Sequence, residues 1–177
     1  LYTTMSADSG SAVLQTSNDA PKISGVKKTK FDVIIIGAGP SGYTAGIYCS
    51  RAGYDTLILS GLLPGGQLVN TTEVENYPGF ENGIMGPDLM IDMRKQSQKM
   101  GTTIIDDVAV DVDFRRAPYK VLTGSEEYEG RAVIIATGAN PRKMGISGEE
   151  EFSGKGVSYC ATCDGPFFKN LELIVVG

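Results

Sequence analysis

Two cysteines stand two residues apart near the end of the chain, in Cys160-Ala161-Thr162-Cys163-Asp164-Gly165, with a carboxylate directly behind them. A disulfide across so short a span gains little from loop closure and is more easily reduced than a structural bridge, which suits it to exchanging electrons. The competing use of a CxxC pair is half of a zinc site, which takes four ligands, almost always Cys or His. The chain has no histidine and only one other cysteine, Cys49, so zinc would need ligands from outside it. The redox reading is preferred, and no metal site is expected. Exchange requires a thiolate, and CxxC pairs often hold one thiol of lowered pKa. Asp164 adjoins the pair and is placed to protonate a leaving thiolate; the alternative is a turn aspartate before Gly165.

A second chemical signature lies upstream, at Gly37-Ala38-Gly39-Pro40-Ser41-Gly42. It follows Phe31-Asp32-Val33-Ile34-Ile35-Ile36, an apolar run that reads as a parallel strand buried on both faces. It also opens a stretch, Ser41 to Ala52, with small residues at helical spacing. In that setting a glycine-rich turn is a dinucleotide fingerprint. Gly37 permits the tight turn, Gly39 lets backbone amides close on a pyrophosphate, and Gly42 lets the helix pack on its strand. The anion would rest on the positive end of the helix. One departure stands out, because the acid expected about twenty residues on, at the end of the second strand, is replaced by Leu59-Ser60-Gly61. Ribose recognition is therefore expected from Ser60, Gly61 or the backbone.

The elements that must hold these two sites are legible in outline. A strand at Thr56 to Leu59 completes a βαβ unit. Residues 61–87 form a long loop rich in Gly, Pro and Asn, too long to be a plain connection. Pro87 to Met100 reads as an amphipathic helix with Leu89, Met90, Met93 and Met100 on its apolar side. Short strands are expected at 103–105, 109–114 and 120–122, with turns at Ala117-Pro118 and Gly124-Ser125, and a final strand at Ala132 to Ala136 leads into Thr137-Gly138-Ala139. Thr137-Gly138 lies where open α/β sheets bind ligands, beyond the carboxyl end of a strand. Pro141 to Gly148, with Gly154 and Gly156 beyond, reads as a hinge between domains. The run Leu173-Ile174-Val175-Val176-Gly177 repeats the strand-glycine grammar of the fingerprint and is read as the opening of a second one. Cys49 is expected to be a small buried hydrophobe inside the first helix.

Composition narrows the function classes. The chain has 177 residues, 41% of them hydrophobic and 21% charged, and no apolar run of membrane-spanning length. Its net charge of −5, with lysines and arginines scattered, argues against nucleic acid as a partner. Three cysteines are too few for a disulfide framework and point to a reducing compartment. There are 23 glycines, roughly twice the usual ~7% share. Residues 1–29 are rich in Ser, Thr, Ala and Asp without hydrophobic period and read as a flexible tail. The tail has no arginine and carries Asp8 and Asp19, unlike a transit peptide. A cytoplasmic location is expected, with organellar import left open.

Taken together, GAGPSGYTAGIY from Gly37, PGGQL at 64–68, TTEVENYPGF at 71–80, IIATGA at 134–139 and CATCDG at 160–165 resemble the small, bacterial-type thioredoxin reductase family. The resemblance runs from Phe31 to Gly177 and covers the N-terminal portion of that family's chain. It implies an α/β fold: a Rossmann-like, three-layer FAD-binding domain over 30–141 with a β-meander insertion. Over 142–177 it implies a hinge and the start of a second, NADPH-binding Rossmann-like domain. The family also lacks the acid after the second strand. By resemblance Gly37, Ala38, Gly39, Pro40, Ser41, Gly42, Ser60, Gly61, Gly65, Gly66, Gln67, Asn76, Ala109, Thr137, Gly138 and Ala139 contact FAD. Electrons would pass from NADPH (NADP as product) through FAD to Cys160 and Cys163 and on to a thioredoxin-like protein. Cys163 would lie nearer the flavin and Cys160 would attack the substrate. A homodimer and rotation of the two domains are also implied. The alternatives are a related reductase fed by ferredoxin or reduced flavin, and a non-catalytic FAD-binding module.

Overall fold

The structure, a computed structural model, describes residues 28–176. The tail expectation over 1–27 and the fingerprint glycine Gly177 lie outside the described residues. A six-stranded sheet has the order β5-β2-β1-β8-β7-β6. Its strands are β1 (Lys30–Ile36), β2 (Thr56–Leu59), β5 (Thr103–Ile105), β6 (Asp111–Asp113), β7 (Tyr119–Leu122) and β8 (Glu127–Ile135). Four strands run parallel, β5-β2-β1-β8, as the β-branched, doubly buried sequences of β1 and β2 require. The strands β6-β7-β8 form the expected antiparallel meander.

β8 is longer than its apolar stretch suggested. Its first residues, Glu127–Gly130, pair antiparallel with β7, while residues from Glu129 on pair parallel with β1. The stretch Glu127-Tyr128-Glu129-Gly130-Arg131 is mostly polar and signals no strand by composition, because its pairing comes from partners on both sides. Gly130 is needed at the crossing, since a Cβ there would sit 2.9 Å from Ile34 Cδ1.

Two helices cover one face: α1 (Pro40–Arg51) and α2 (Gly86–Lys99). Leu89, Met90 and Met93 of α2 pack with Tyr43 of α1 on Val33, Ile35 and Ile58. Each such side chain contributes about 1.5–3 kcal/mol by burial. Met100 is only half-buried. The stripe instead includes Ser97, whose buried Oγ donates to Thr102 Oγ1 at 3.0 Å, while Thr102 Oγ1 donates to Gly46 O at 3.0 Å. On the other face Val121 and Tyr128 of the meander pack on Ile34, Leu57 and Leu59. Helices, parallel sheet and meander make the three expected layers. Cys49 is a free thiol packed against the helix-side core.

The long loop has structure of its own. A 3₁₀ turn spans Gly66–Asn70, and a two-stranded ribbon joins β3 (Glu73–Val74) to β4 (Ile84–Met85). Residues 172–176 have no regular secondary structure, and Ile174 is 93% exposed. Among the described residues no strand pairs with them, and a strand takes its stability from the ladder it joins. Among the described residues no helix is long and apolar enough to cross a membrane.

Candidate functional site

The fingerprint loop is clamped between two strand ends. Gly37 N–H donates to Leu59 O at 2.8 Å, and Ala136 N–H donates to Ile36 O at 2.8 Å, so β1, β2 and β8 end at one edge. The chain passes from β1 through α1 to β2 on one side, and β8 flanks β1 on the other. This is the switch point of the sheet, above which open α/β folds bind ligands. Gly37 has φ +107°, and a Cβ on it would sit 2.2 Å from Ala136 O. A Cβ on Gly42 would sit 2.1 Å from Gly37 O. Gly39 differs, since a Cβ there meets nothing within 4 Å. Two glycines thus close the turn and one leaves its outer side open. Among the described residues no side chain caps the start of α1, where Pro40 occupies the first turn. Uncapped amides and the helix dipole suit a phosphate.

The other cofactor candidates line the same edge. Gly65, buried, donates its N–H to Ala38 O at 2.8 Å and so docks the long loop on the fingerprint. Exposed Gln67 reaches across to the end of β8, where its Nε2 donates to Asn140 Oδ1 at 2.7 Å and to Ala139 O at 3.3 Å. Thr137, Gly138 and Ala139 are exposed there. Ala109 is half-buried against the meander-side core. Gly61 has φ +77° with open space at its Cβ position. Ser60 is only 4% exposed, and its Oγ donates to Asp106 Oδ1 at 2.8 Å, so its hydroxyl is turned to a protein partner. Open backbone at Gly39 and Gly61, beside the amides at the start of α1, is chemically suited to a dinucleotide cofactor.

Cys160 and Cys163 form a disulfide across Ala161–Asp164, a single helical turn called α3 here, with Cα atoms 5.2 Å apart. Cys163 N–H points back at Cys160 Sγ at 3.2 Å. Cys163 is exposed and Cys160 half-buried. Cys163, Thr162 and Phe167 share one cleft with Leu68, Val74 and Asn76 of the long loop. Cys163 of the redox pair therefore faces the loop that docks on the fingerprint. Among the described residues no group of three or more His, Cys, Asp or Glu is arranged to hold a metal ion.

Several residues at the site carried no signal in the sequence reading. Ser158 accepts from Cys160 N–H at 3.1 Å, and its Oγ donates to Asp164 Oδ2 at 2.5 Å. It fixes Asp164 relative to the disulfide, and the short-range serine-to-backbone pattern was the available hint. Glu149, 3% exposed, accepts from Met144 N–H at 2.9 Å, Gly145 N–H at 2.6 Å and Tyr159 O–H at 2.9 Å. Those donors, the Met144 amide foremost, hold its carboxyl below the usual carboxylate range. The carboxylate ties the linker to the residue preceding Cys160. Within the run Glu149-Glu150-Glu151 composition alone could not single out one member.

Comparison with known proteins places this geometry. The family model for pyridine nucleotide-disulphide oxidoreductases matches residues 31–177. The thioredoxin reductase of Listeria monocytogenes is 57% identical over 149 residues, covering 83% of this chain and 46% of that protein. The thioredoxin reductase of Bacillus subtilis is 53% identical over 149 residues, with the same coverage of 83% and 46%. Among solved structures, the thioredoxin reductase of Streptococcus pyogenes superposes with a TM-score of 0.73 at 41% identity, over 79% of this chain and 45% of that one. The chain spans about half the length of the curated relatives it matches. With a family model matched over nearly all the described residues, and with the disulfide facing the fingerprint-docked loop, the chain belongs to the pyridine nucleotide-disulphide oxidoreductase family.

Proposed function

We propose that the protein carrying this sequence is an FAD-dependent disulfide reductase that passes electrons from NADPH through the Cys160–Cys163 pair to a thioredoxin. The observation that carries the reading is the shared cleft, in which Cys163 meets Asn76 and Leu68 of the loop docked on the dinucleotide fingerprint. The thioredoxin reductases it matches support the choice of substrate. A homodimer working in the cytoplasm is part of the same reading.

The residues would divide the work as follows. Amides at the start of α1 and the open side of Gly39 hold the pyrophosphate, while Gly65, Gly66, Gln67 and Asn76 brace the ring system. Bound there, FAD supplies hydride acceptance and two-electron transfer. The Cys160–Cys163 disulfide takes up two electrons and two protons and opens to a dithiol. Cys160, as thiolate, attacks one sulfur of the substrate disulfide, forming a mixed disulfide and expelling the other sulfur as thiolate. Asp164, held by Ser158, would take the proton that Cys160 loses and pass it to that thiolate. Cys163 then attacks Cys160 Sγ, releasing the second substrate sulfur and restoring the bridge.

Single Cys160→Ser and Cys163→Ser variants of the full-length protein test this. Each should abolish NADPH-dependent reduction of a thioredoxin disulfide while leaving NADPH-dependent bleaching of bound flavin intact, because the flavin precedes the cysteines. Retained turnover in either variant would refute the proposal.

A further inference from the structure

The missing ribose acid leaves a question that the tertiary structure addresses. In dinucleotide-binding folds a carboxylate at the end of the second strand accepts from a ribose hydroxyl, and here Leu59-Ser60-Gly61 holds that place. β5 runs parallel beside β2 with Leu59 opposite Ile105. One step further, Ser60 and Asp106 stand side by side at the carboxyl edge, where Ser60 N–H donates to Ile105 O at 3.0 Å. A carboxylate therefore reaches the expected neighbourhood from the adjoining strand.

Three donors fix that carboxylate. Ser60 Oγ donates to Oδ1 at 2.8 Å, and Arg94 of α2 donates through its two terminal nitrogens at 2.8 and 2.9 Å. Arg94 also interacts with the Tyr43 side chain of α1. The hydrogen bonds from Arg94 foremost, with that from Ser60, hold the Asp106 carboxyl below the usual carboxylate range. A carboxylate accepts about four hydrogen bonds, so three donors leave capacity to spare, and the side chain is 55% exposed. Next to it Gly61 leaves open space, as does Gly39 of the fingerprint. A plain surface ion pair would not need a buried serine aimed at the same oxygen.

Building on the proposed FAD site, we infer that Asp106 replaces the missing acid of β2: its carboxylate accepts a hydrogen bond from a ribose hydroxyl of the adenosine half. Ser60 and Arg94 are positioning residues that aim it. The pairing with Arg94 also offsets the charge that Asp106 would otherwise bring close to the pyrophosphate.

The test titrates the full-length apoprotein, by flavin fluorescence, with FAD and with an FAD analogue lacking the adenosine 2′ and 3′ hydroxyls. Wild type should prefer FAD by about tenfold or more, the range that a hydrogen bond to a charged group supplies. Asp106→Ala should bind both alike, and Arg94→Gln, which leaves the carboxylate in place, should keep part of the preference. Should the alanine variant fail to fold, Asp106→Leu, which fills similar space and accepts no hydrogen bond, carries the same comparison. A wild-type preference in the Asp106 variants, or tight wild-type binding of FAD and analogue alike, overturns this inference and leaves the FAD reading standing. No binding of either ligand by wild type overturns both.

Discussion

Two glycines of one fingerprint, two residues apart, should respond to alanine in opposite ways. At Gly37 the methyl group must adopt φ +107° and would lie 2.2 Å from Ala136 O. The conformational term is about 1–2 kcal/mol. The contact cannot be relieved by a side chain, because the obstructing atom is backbone at the end of β8, bound to Ile36 through Ala136 N–H. Forcing that edge apart adds a further ~1–3 kcal/mol, for a total near 2–5 kcal/mol. At Gly39 φ is −79° and no atom lies within 4 Å of the new Cβ. Alanine there loses the advantage of glycine as a helix cap, about 0.5–1 kcal/mol, and regains about 0.4–1 kcal/mol by restricting the unfolded chain. Stability should stay within about 0.5 kcal/mol of wild type. The same methyl stands where the pyrophosphate must approach, so FAD affinity should fall by about tenfold or more, equivalent to about 1.4 kcal/mol. The assay pairs urea unfolding of the apoprotein with FAD titration. Gly37→Ala should fail the first measurement and Gly39→Ala only the second. Wild-type FAD affinity in Gly39→Ala, or equal stability losses at both positions, would refute the assignment of separate roles.

Asp164→Asn keeps the turn before Gly165 and removes the carboxyl that would relay a proton; rapid-mixing kinetics should show the dithiol step slowed about tenfold or more, whereas a wild-type rate would leave Asp164 a turn residue. Glu149 has a folded-state pKa depressed by the Met144 and Gly145 amides and Tyr159. Its stabilising contribution is therefore present above the ordinary glutamate pKa and lost as pH falls through the depressed value. Hydrogen exchange at Met144 and Gly145 should accelerate over that acidic window in wild type and be pH-insensitive, beyond intrinsic exchange, in Glu149→Gln. Thr102→Val preserves shape but strands the Ser97 hydroxyl and the Gly46 carbonyl, costing about 1–3 kcal/mol. Calorimetry should show a lower Tm, by about 2–4 °C per kcal/mol.

Local patterns in the chain were sufficient for the strand, turn and helix around Gly37–Gly42, because burial on both faces of β1 and a glycine-rich turn each write a strong short-range signature. The same holds for α2, whose apolar spacing announced Leu89, Met90 and Met93 as core, and for the CxxC, which closes within four residues. What the sequence could not declare were the features built from distant segments. The first half of β8 is a strand only because β7 and β1 flank it. The apolar run Leu173–Val176 forms no strand, and among the described residues none pairs with it, although its composition matches β1. Ser60, one of the alternatives for ribose recognition, hydrogen-bonds Asp106, 46 residues away, and Gln67 finds its partner at Asn140, 73 residues on. Side-chain hydrogen bonds of that separation leave no periodicity to read, since they depend on which strand ends the sheet brings to one edge. Composition and spacing determined which chemistry the chain carries; only the parallel register of β2, β5, β1 and β8 decided which residues stand beside it.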